Sequence, residues 1–414
     1  MEKSADILVI GGGSAGIAAA VAAARSGAHV VLLEKNTYAG GNATAAYVGT
    51  ICGLYYRNKA REARFVMGGF TKDFALQVQH ASNSQPFQFG QGLHFLPYKR
   101  SAFMEVADKQ LRQNKVNVFY NADVKAIKMD SQSIHSVLAL VENKPVNFTT
   151  KKVIDTSGNA LTAQLGAGML VEEKNYQAAA QVFGMCGVKT VDNSILNLSI
   201  IRTIQKGMAT GDFPTEYKRL SAIPGTYENG FLFFKLGIPL QVENTSASKS
   251  SLEIFSKEAI QFLERYLQNH CDLFANAQVH MIAPEVGIRT GPRNEGKEVL
   301  LKKDVLDAKK RDAGIARGAW PIEFWAPGEN PRMEYFEEDD YYDIPAYCLV
   351  SATVENLFFA GRHISAEEDA IASARVIGTC LATGFAAGKM AAGKLENQPE
   401  KETIRKIREE IANI

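Results

Sequence analysis

One short stretch, from Asp6 to Glu34, constrains this chain more than any other. Residues 6–10 are an apolar run, read as a strand buried in a parallel sheet. The turn Gly11-Gly12-Gly13-Ser14-Ala15-Gly16 follows. Residues 17–25 are almost entirely Ala, Val and Ile and stop at Ser26-Gly27, which reads as a helix with a glycine stop. Residues 28–33 form a second apolar run closed by Glu34. Strand, glycine turn, helix and strand make a βαβ unit. The three spaced glycines do different things. Gly11 permits the tight turn, Gly13 lets the backbone approach a diphosphate, and Gly16 allows close helix–strand packing. The helix N-terminus offers free N–H groups and a partial positive charge to an anion. Glu34, 18 positions after Gly16, is placed to accept from a ribose hydroxyl pair and to repel a 2′-phosphate. The expectation is a dinucleotide site that disfavours NADP.

Which dinucleotide is decided farther along. Ala39-Gly40-Gly41-Asn42-Ala43-Thr44 is a second glycine cluster, for which a simple NAD domain has no use. Near the C-terminus, Asn356-Leu357-Phe358-Phe359-Ala360 is a strand ending at Gly361-Arg362, followed by a helix of small residues. There Ala374, Gly378, Ala382 and Ala386 recur every four residues, giving a bare face for close packing. A βαβ unit and a strand–Gly–helix unit thus bracket the chain, so the nucleotide domain is expected to be discontinuous. The 414 residues suggest two or three domains: 1–165 and 346–395 as the two parts of a Rossmann-like α/β domain, 166–345 as an inserted α+β substrate or cap domain, and 396–414 as an amphipathic helix with Ile404, Ile407, Ile411 and Ile414 on one face. Residues 35–60 read as loop and 61–90 as partly helical.

Composition removes several function classes. A net charge of +1 gives no electrostatic case for nucleic acid or an acidic membrane surface. No run of 18 apolar residues marks a membrane span, and no secretory leader is evident, so a cytoplasmic location is expected. The five cysteines are odd in number and show no CxxC or metal-ligand spacing. With Cys52 alone in the early glycine-rich region, a disulfide reductase is excluded and no metal is expected.

The segments DILVIGGGSAG (6–16), GGNAT (40–44) with Cys52-Gly53, IDTSGNA (154–160), GIRTGPR (287–293), NLFFAGRHIS (356–365) and ASARVIGTCLATGFAAG (372–388) together resemble a bacterial family of FAD-dependent oxidoreductases in the glutathione-reductase superfamily, fumarate-reductase-like branch. The resemblance covers about half of the chain, and little of 166–285. It implies non-covalent FAD, since the GGNAT loop lacks the histidine of covalently flavinylated relatives. It assigns the ADP part to Gly11, Gly13, Ser14, Ala15, Gly16, Glu34 and Lys35. It sets Gly41, Asn42, Ala43 and Thr44 beside the diphosphate and flavin, Val124 at the adenine, and Thr156 and Gly158 near the diphosphate. Gly361, Arg362, Ile377, Gly378 and Thr379 are implied at the ribityl chain and flavin, although many relatives carry Gly-Asp where this chain has Gly361-Arg362.

The catalytic candidates each have two readings. Arg289 and Arg293 are either carboxylate clamps or members of structural ion pairs, with Asp304 or a neighbouring acid. His363 is either a proton shuttle or a hydrogen-bonded structural residue. Tyr347 either lines the pocket or belongs to the core. Arg375 either steadies the flavin or substrate or forms a buried salt bridge. No second GxGxxG occurs, so reductant is expected from the substrate, from transient nicotinamide docking or from an external partner. The leading expectation is hydride transfer between FAD and a small organic substrate. A flavin monooxygenase using external NAD(P)H and oxygen, and a non-redox FAD-binding protein, are the rivals.

Overall fold

The computed structural model describes residues 1–59, 62–173, 176–189 and 192–414. Residues 60 and 61, where the expected loop meets the next segment, lie outside the described residues.

The chain is a mixed α/β protein organised around a parallel sheet. Its strands are β1 (Glu2–Ile10), β2 (Val30–Leu33), β3 (Asn117–Phe119), β4 (Ala122–Asp130), β5 (Ser133–Val141) and β6 (Lys144–Asp155). The order is β3-β2-β1-β6. Beyond β6 the edge is shared: its first half pairs antiparallel with β5, which continues to β4, and its last residues pair parallel with the returning C-terminal strand. Alternation along the strands feeds two cores. Ile7, Val9, Val30 and Leu32 join the helical side, while Leu8, Ile10, Val31 and Leu33 join the β4–β5 meander side. Both faces are covered, which is why these strands are continuous apolar runs and do not alternate with polar residues.

The helices on the first face are α1 (Ser14–Arg25), α2 (Gly69–Ser82) and α3 (Arg100–Gln113), with three more at the C-terminus. Residues 166–292 build a second sheet from β7 (Ala180–Cys186), β8 (Leu220–Ala222), β9 (Leu232–Gly237) and β10 (Gln278–Ile282), antiparallel in the order β8-β9-β7-β10. One face is roofed by α4 (Asn193–Thr210) and α5 (Ser246–His270). The α5 helix begins at Ser246 because Thr245 caps it: its Oγ1 accepts from the Ser248 N–H at 3.1 Å. On β9, Leu232, Phe234 and Leu236 face that helical roof. Phe233 and Lys235 therefore face the other way, and Phe233 packs with Tyr47.

The expected cap segment, 166–345, divides between cores. From Leu300 onward, Val305, Ile315, Ile322, Tyr342 and Ile344 are buried in the same cluster as α1. This stretch carries the hairpin β11 (Ile322–Phe324) and β12 (Arg332–Glu334). The chain then re-enters the main sheet as β13 (Leu357–Phe359), followed by α6 (Glu368–Ala374), α7 (Ile377–Leu395) and α8 (Glu400–Ala412). Ile404, Ile407 and Ile411 are buried, whereas Ile414 lies past the helix end and is exposed.

The α7 helix does lie very close to α1, but on a different stripe from the expected one. A Cβ on Gly384 would stand 2.1 Å from the Ala15 carbonyl oxygen, and one on Gly388 2.3 Å from that of Ala19. Gly378 instead abuts the Cys52 and Gly53 backbone. Among the described residues no single helix is long and apolar enough to cross a membrane.

Candidate functional site at the strand ends

The register of the main sheet creates the site. Ile10 is aligned with Leu33 and with Asp155, Leu33 with Phe119, and Phe359 with Asp155. Five parallel strands thus end together, and the segments that follow them open on one crevice, where ligands bind in sheets of this kind. One cavity runs along it. Its lining includes Gly11, Gly13, Ser14 and Ala15 after β1, and Glu34 and Lys35 after β2. Gly41, Asn42, Ala43 and Val124 also line it, with Thr156 and Gly158 after β6, Gly361 and Arg362 after β13, and Arg375 and Ile377 around the α6–α7 bend.

The glycine turn has the form its sequence requires. Gly11 sits at φ +99°, and a Cβ there would be 2.7 Å from the Thr156 carbonyl oxygen. A Cβ on Gly16 would be 1.9 Å from the Gly11 carbonyl oxygen. The Thr156 hydroxyl fastens the turn, with Ile10 and Gly11 carbonyl oxygens at 2.9 and 2.7 Å. In contrast, a Cβ on Gly13 would meet nothing closer than 3.9 Å, so this residue leaves room open at the helix N-terminus. The Ile17 N–H is the first of α1 to bond within the turn, to the Gly13 carbonyl, which leaves the donors ahead of it for an anion.

Glu34 is buried at the end of β2. One carboxylate oxygen accepts from the Gly12 N–H at 2.6 Å and the other from the Asn36 N–H at 2.8 Å. Burial pushes its carboxyl above the ordinary value, and the Asn36 and Gly12 bonds work against that rise. Each oxygen keeps a lone pair for a further donor. Arg362 ties three segments together: Nε to the Gly158 carbonyl at 2.7 Å, Nη2 to Asn159 Oδ1 at 2.8 Å, and Nη1 to the Ile288 carbonyl.

Four expected cofactor residues, Gly16, Thr44, Gly378 and Thr379, do not line the cavity. Gly16 is consumed by close packing. Thr44 is fully buried and turns its hydroxyl to the Ala39 carbonyl at 2.9 Å. Gly378 packs on the Cys52–Gly53 backbone, and its neighbour Thr379 has a buried hydroxyl without a partner.

The catalytic candidates separate more sharply. Arg375 reaches the cavity, and its Nη2 bonds Gln177 Oε1 at 3.1 Å and the Glu323 backbone carbonyl at 3.0 Å. Arg289 bonds the Ala178 carbonyl and lies 4.9 Å over the Trp325 ring. Arg293 is buried away from the cavity, paired with Glu173 and bonded to the Ala366 carbonyl. Its partner is therefore Glu173, and Asp304 instead engages Lys309 and Arg311. His363 is sealed in the interior, with Nδ1 2.8 Å from Asn294 Nδ2 and Nε2 3.7 Å from Asp155, so it has no path to a substrate. Tyr347 lines a separate surface pocket with Ile404, Arg405 and Arg408 of α8.

Several lining residues carried no local signal in the sequence. Asn159 and Cys380 at least lie inside recognisable motifs, but Glu285 arrives from the second sheet to pair with Lys35 at 3.3 Å and accept from Asn36 at 3.1 Å. Lys235, Glu323 and Gln177 come from scattered positions to meet Arg289 and Arg375.

Comparison with known proteins agrees with this geometry. A family model described as "FAD dependent oxidoreductase" matches residues 6–412. No match is found among curated proteins. Among solved structures, the flavin-dependent brominase Bmp2, as a triple mutant, is similar over 98% of this chain and 84% of its own, at 14% identity and a TM-score of 0.50. OxyS anhydrotetracycline hydroxylase from Streptomyces rimosus is similar over 98% and 65%, at 10% identity and a TM-score of 0.50. A geranylgeranyl bacteriochlorophyll reductase-like protein from Thermoplasma acidophilum is similar over 99% and 83%, at 13% identity and a TM-score of 0.49.

Proposed function

The chain belongs to the FAD dependent oxidoreductase family, and from that premise we propose that it transfers a hydride between non-covalently bound FAD and a small organic substrate. The supporting observation is the single cavity that joins the α1 N-terminus, Glu34 and the returning Gly361 turn to Arg375. The residues fit the cofactor. Gly13 leaves open the space at the α1 donors, and Glu34 keeps lone pairs for ribose hydroxyls. Asn42, Gly158 and Arg362 flank the diphosphate path, and Ile377 opens α7 where its first N–H groups oppose negative charge on a flavin.

Bound FAD supplies the two-electron chemistry. The chain's own groups do the rest: Arg289 and Arg375 orient what is bound. Reductant comes from the substrate or an external donor. The finer placement in the fumarate-reductase-like branch belongs to the same reading.

The test is a spectrum of purified protein during anaerobic addition of candidate donors. Bleaching of a yellow protein, with flavin released into solution on denaturation, is expected. A protein that stays colourless after incubation with FAD refutes the reading. Rapid NAD(P)H consumption coupled to oxygen uptake redirects it to monooxygenation.

A further inference from the structure

Beside Arg375, at the seam between the second sheet and the cofactor cavity, the structure collects cations that lack a carboxylate partner among the described residues. Lys235 is placed there by β9, whose alternate residues Phe234 and Leu236 are buried under the helical roof. Its ammonium lies 5.2 Å over the Trp325 ring, and Arg289 lies over the same ring at 4.9 Å. Lys235, Arg289 and Arg375 are each only partly buried, so they border space as well as protein. Among the described residues, no carboxylate oxygen comes within 4.0 Å of any of the three. Lys235 has no hydrogen-bond acceptor there, and the buried Arg375 Nε has none.

One carboxylate is nearby, that of Glu323, but it is already engaged. It accepts from both of the chain's tryptophans, Trp320 Nε1 to Oε2 and Trp325 Nε1 to Oε1, each at 2.9 Å. Gln177, fully buried, is divided in use. Its Oε1 takes Arg375 and the Trp325 N–H, while its Nε2 has no partner. Arg219 adds a further cation beside Arg289, with Glu329 facing it. Burial and then Arg289 press Lys235 down, and burial and then Arg375 press Arg289 down. Burial opposes the Glu323 charge, but Arg375, the Trp320 bond, Lys235 and Arg289 outweigh it and hold its carboxyl below the ordinary value.

With Arg219 and Glu329 counted, four cations face two carboxylates, which leaves an excess of positive charge in a place of low dielectric, costly unless an anion completes it. The cofactor does not supply that anion to every one of them. Arg375 lines its cavity, but Lys235 and Arg289 do not. The free donors are a guanidinium edge, an ammonium and an amide NH₂, which suit the planar, two-oxygen acceptor of a carboxylate.

We propose that the substrate carries a carboxylate, seated by Lys235, Arg289 and the Gln177 amide, with Arg375 bridging this subsite to the flavin cavity. The proposal rests on the flavoenzyme reading above, and it is tested separately from it. FAD-saturated protein is titrated by calorimetry with benzoate and propionate, with benzamide and propionamide, and with inorganic phosphate. The acids are expected to bind and the amides not. Lys235→Met, which has no hydrogen bond to lose and should fold, is expected to weaken acid binding about tenfold or more, and Lys235→Arg to restore much of it. FAD content should be unchanged in both. Equal binding of acid and amide, an unaltered affinity in Lys235→Met, or phosphate binding tighter than either acid overturns the proposal. Charge-selective binding with a flavin that no donor reduces would leave the subsite standing and refute the hydride-transfer reading instead.

Discussion

Glu34 offers the sharpest test of how the cofactor site is assembled. Its carboxylate holds the Gly12 N–H at 2.6 Å and the Asn36 N–H at 2.8 Å, so it fixes the middle of the glycine turn before any ribose arrives. Truncation in Glu34→Ala leaves two N–H groups without their acceptor, at about 1–3 kcal/mol each. Against this, burial raises the Glu34 carboxyl above its ordinary value. The charged form is itself disfavoured there, and removing it recovers part of the loss. The low end, about 2 kcal/mol, is therefore expected. Two measurements separate the effects. Urea unfolding of flavin-free protein reads the structural part, and titration with FAD, followed by flavin fluorescence, reads the structural part plus the ribose contact. Apo-protein should lose about 2 kcal/mol, and FAD should bind more weakly as well. Stability of the flavin-free variant within about 0.5 kcal/mol of the parent would refute the claim that this carboxylate holds the turn. An unchanged FAD affinity would refute its placement at the ribose.

Three further outcomes follow from the geometry. Gly16→Val should abolish FAD retention and destabilise the fold by about 3 kcal/mol or more, because its Cβ would stand 1.9 Å from the Gly11 carbonyl oxygen; a normal flavin spectrum in that variant counts against the packing argument. Burial lowers the His363 pKa, so the folded state holds this imidazole neutral while the unfolded chain protonates near its ordinary 6.5; stability should fall as pH drops below about 6.5, by up to about 1.4 kcal/mol per unit, and His363→Asn should flatten that dependence in thermal melts between pH 5 and 7. Arg293→Met should lower stability by about 3 kcal/mol by stranding the Glu173 carboxylate, with FAD content unchanged in the folded fraction; a selective rise in a substrate's KM without loss of stability would return Arg293 to the site.

What was legible in the sequence was local. The glycine turn, its flanking strands and Glu34 lie within 29 consecutive residues, from Asp6 to Glu34, and their roles follow from backbone geometry that only those residues permit. The returning strand and α7 were legible for the same reason. The bare face read from Ala374, Gly378, Ala382 and Ala386 does not include the two glycines that touch α1, because a helix this rich in Ala and Gly has small residues on several faces. Only the position of Ala15 and Ala19 selects Gly384 and Gly388. For His363 and Tyr347 the sequence left a pocket role and a structural one open, because each lies close in sequence to Gly361 or to the returning strand. One turn of backbone aims His363 inward at Asn294, and α8 draws Tyr347 to the far surface. The cation cluster was legible only in part. Arg289 and Arg375 stood out within the 287–293 and 372–388 segments, whereas Gln177, Lys235 and Glu323 belong to no motif and no periodicity relates them.

The main sheet brings five strand ends into register, so the cofactor crevice is a consequence of one fold and is shared widely by proteins with the same sheet. The substrate side has a different origin. It depends on β9 turning Lys235 away from its own helical roof, on β11 presenting Glu323 to two indoles, and on the α6–α7 bend leaving Arg375 at the cavity wall. Each contribution is a local accident of alternation or of a helix end, and they coincide only because the two sheets meet. A change of substrate could therefore proceed by replacing Lys235 or Arg289 without disturbing the glycine turn, whereas no change at the turn leaves the cofactor unaffected. Variation in this family should accordingly concentrate in the second sheet, on the face that carries Lys235.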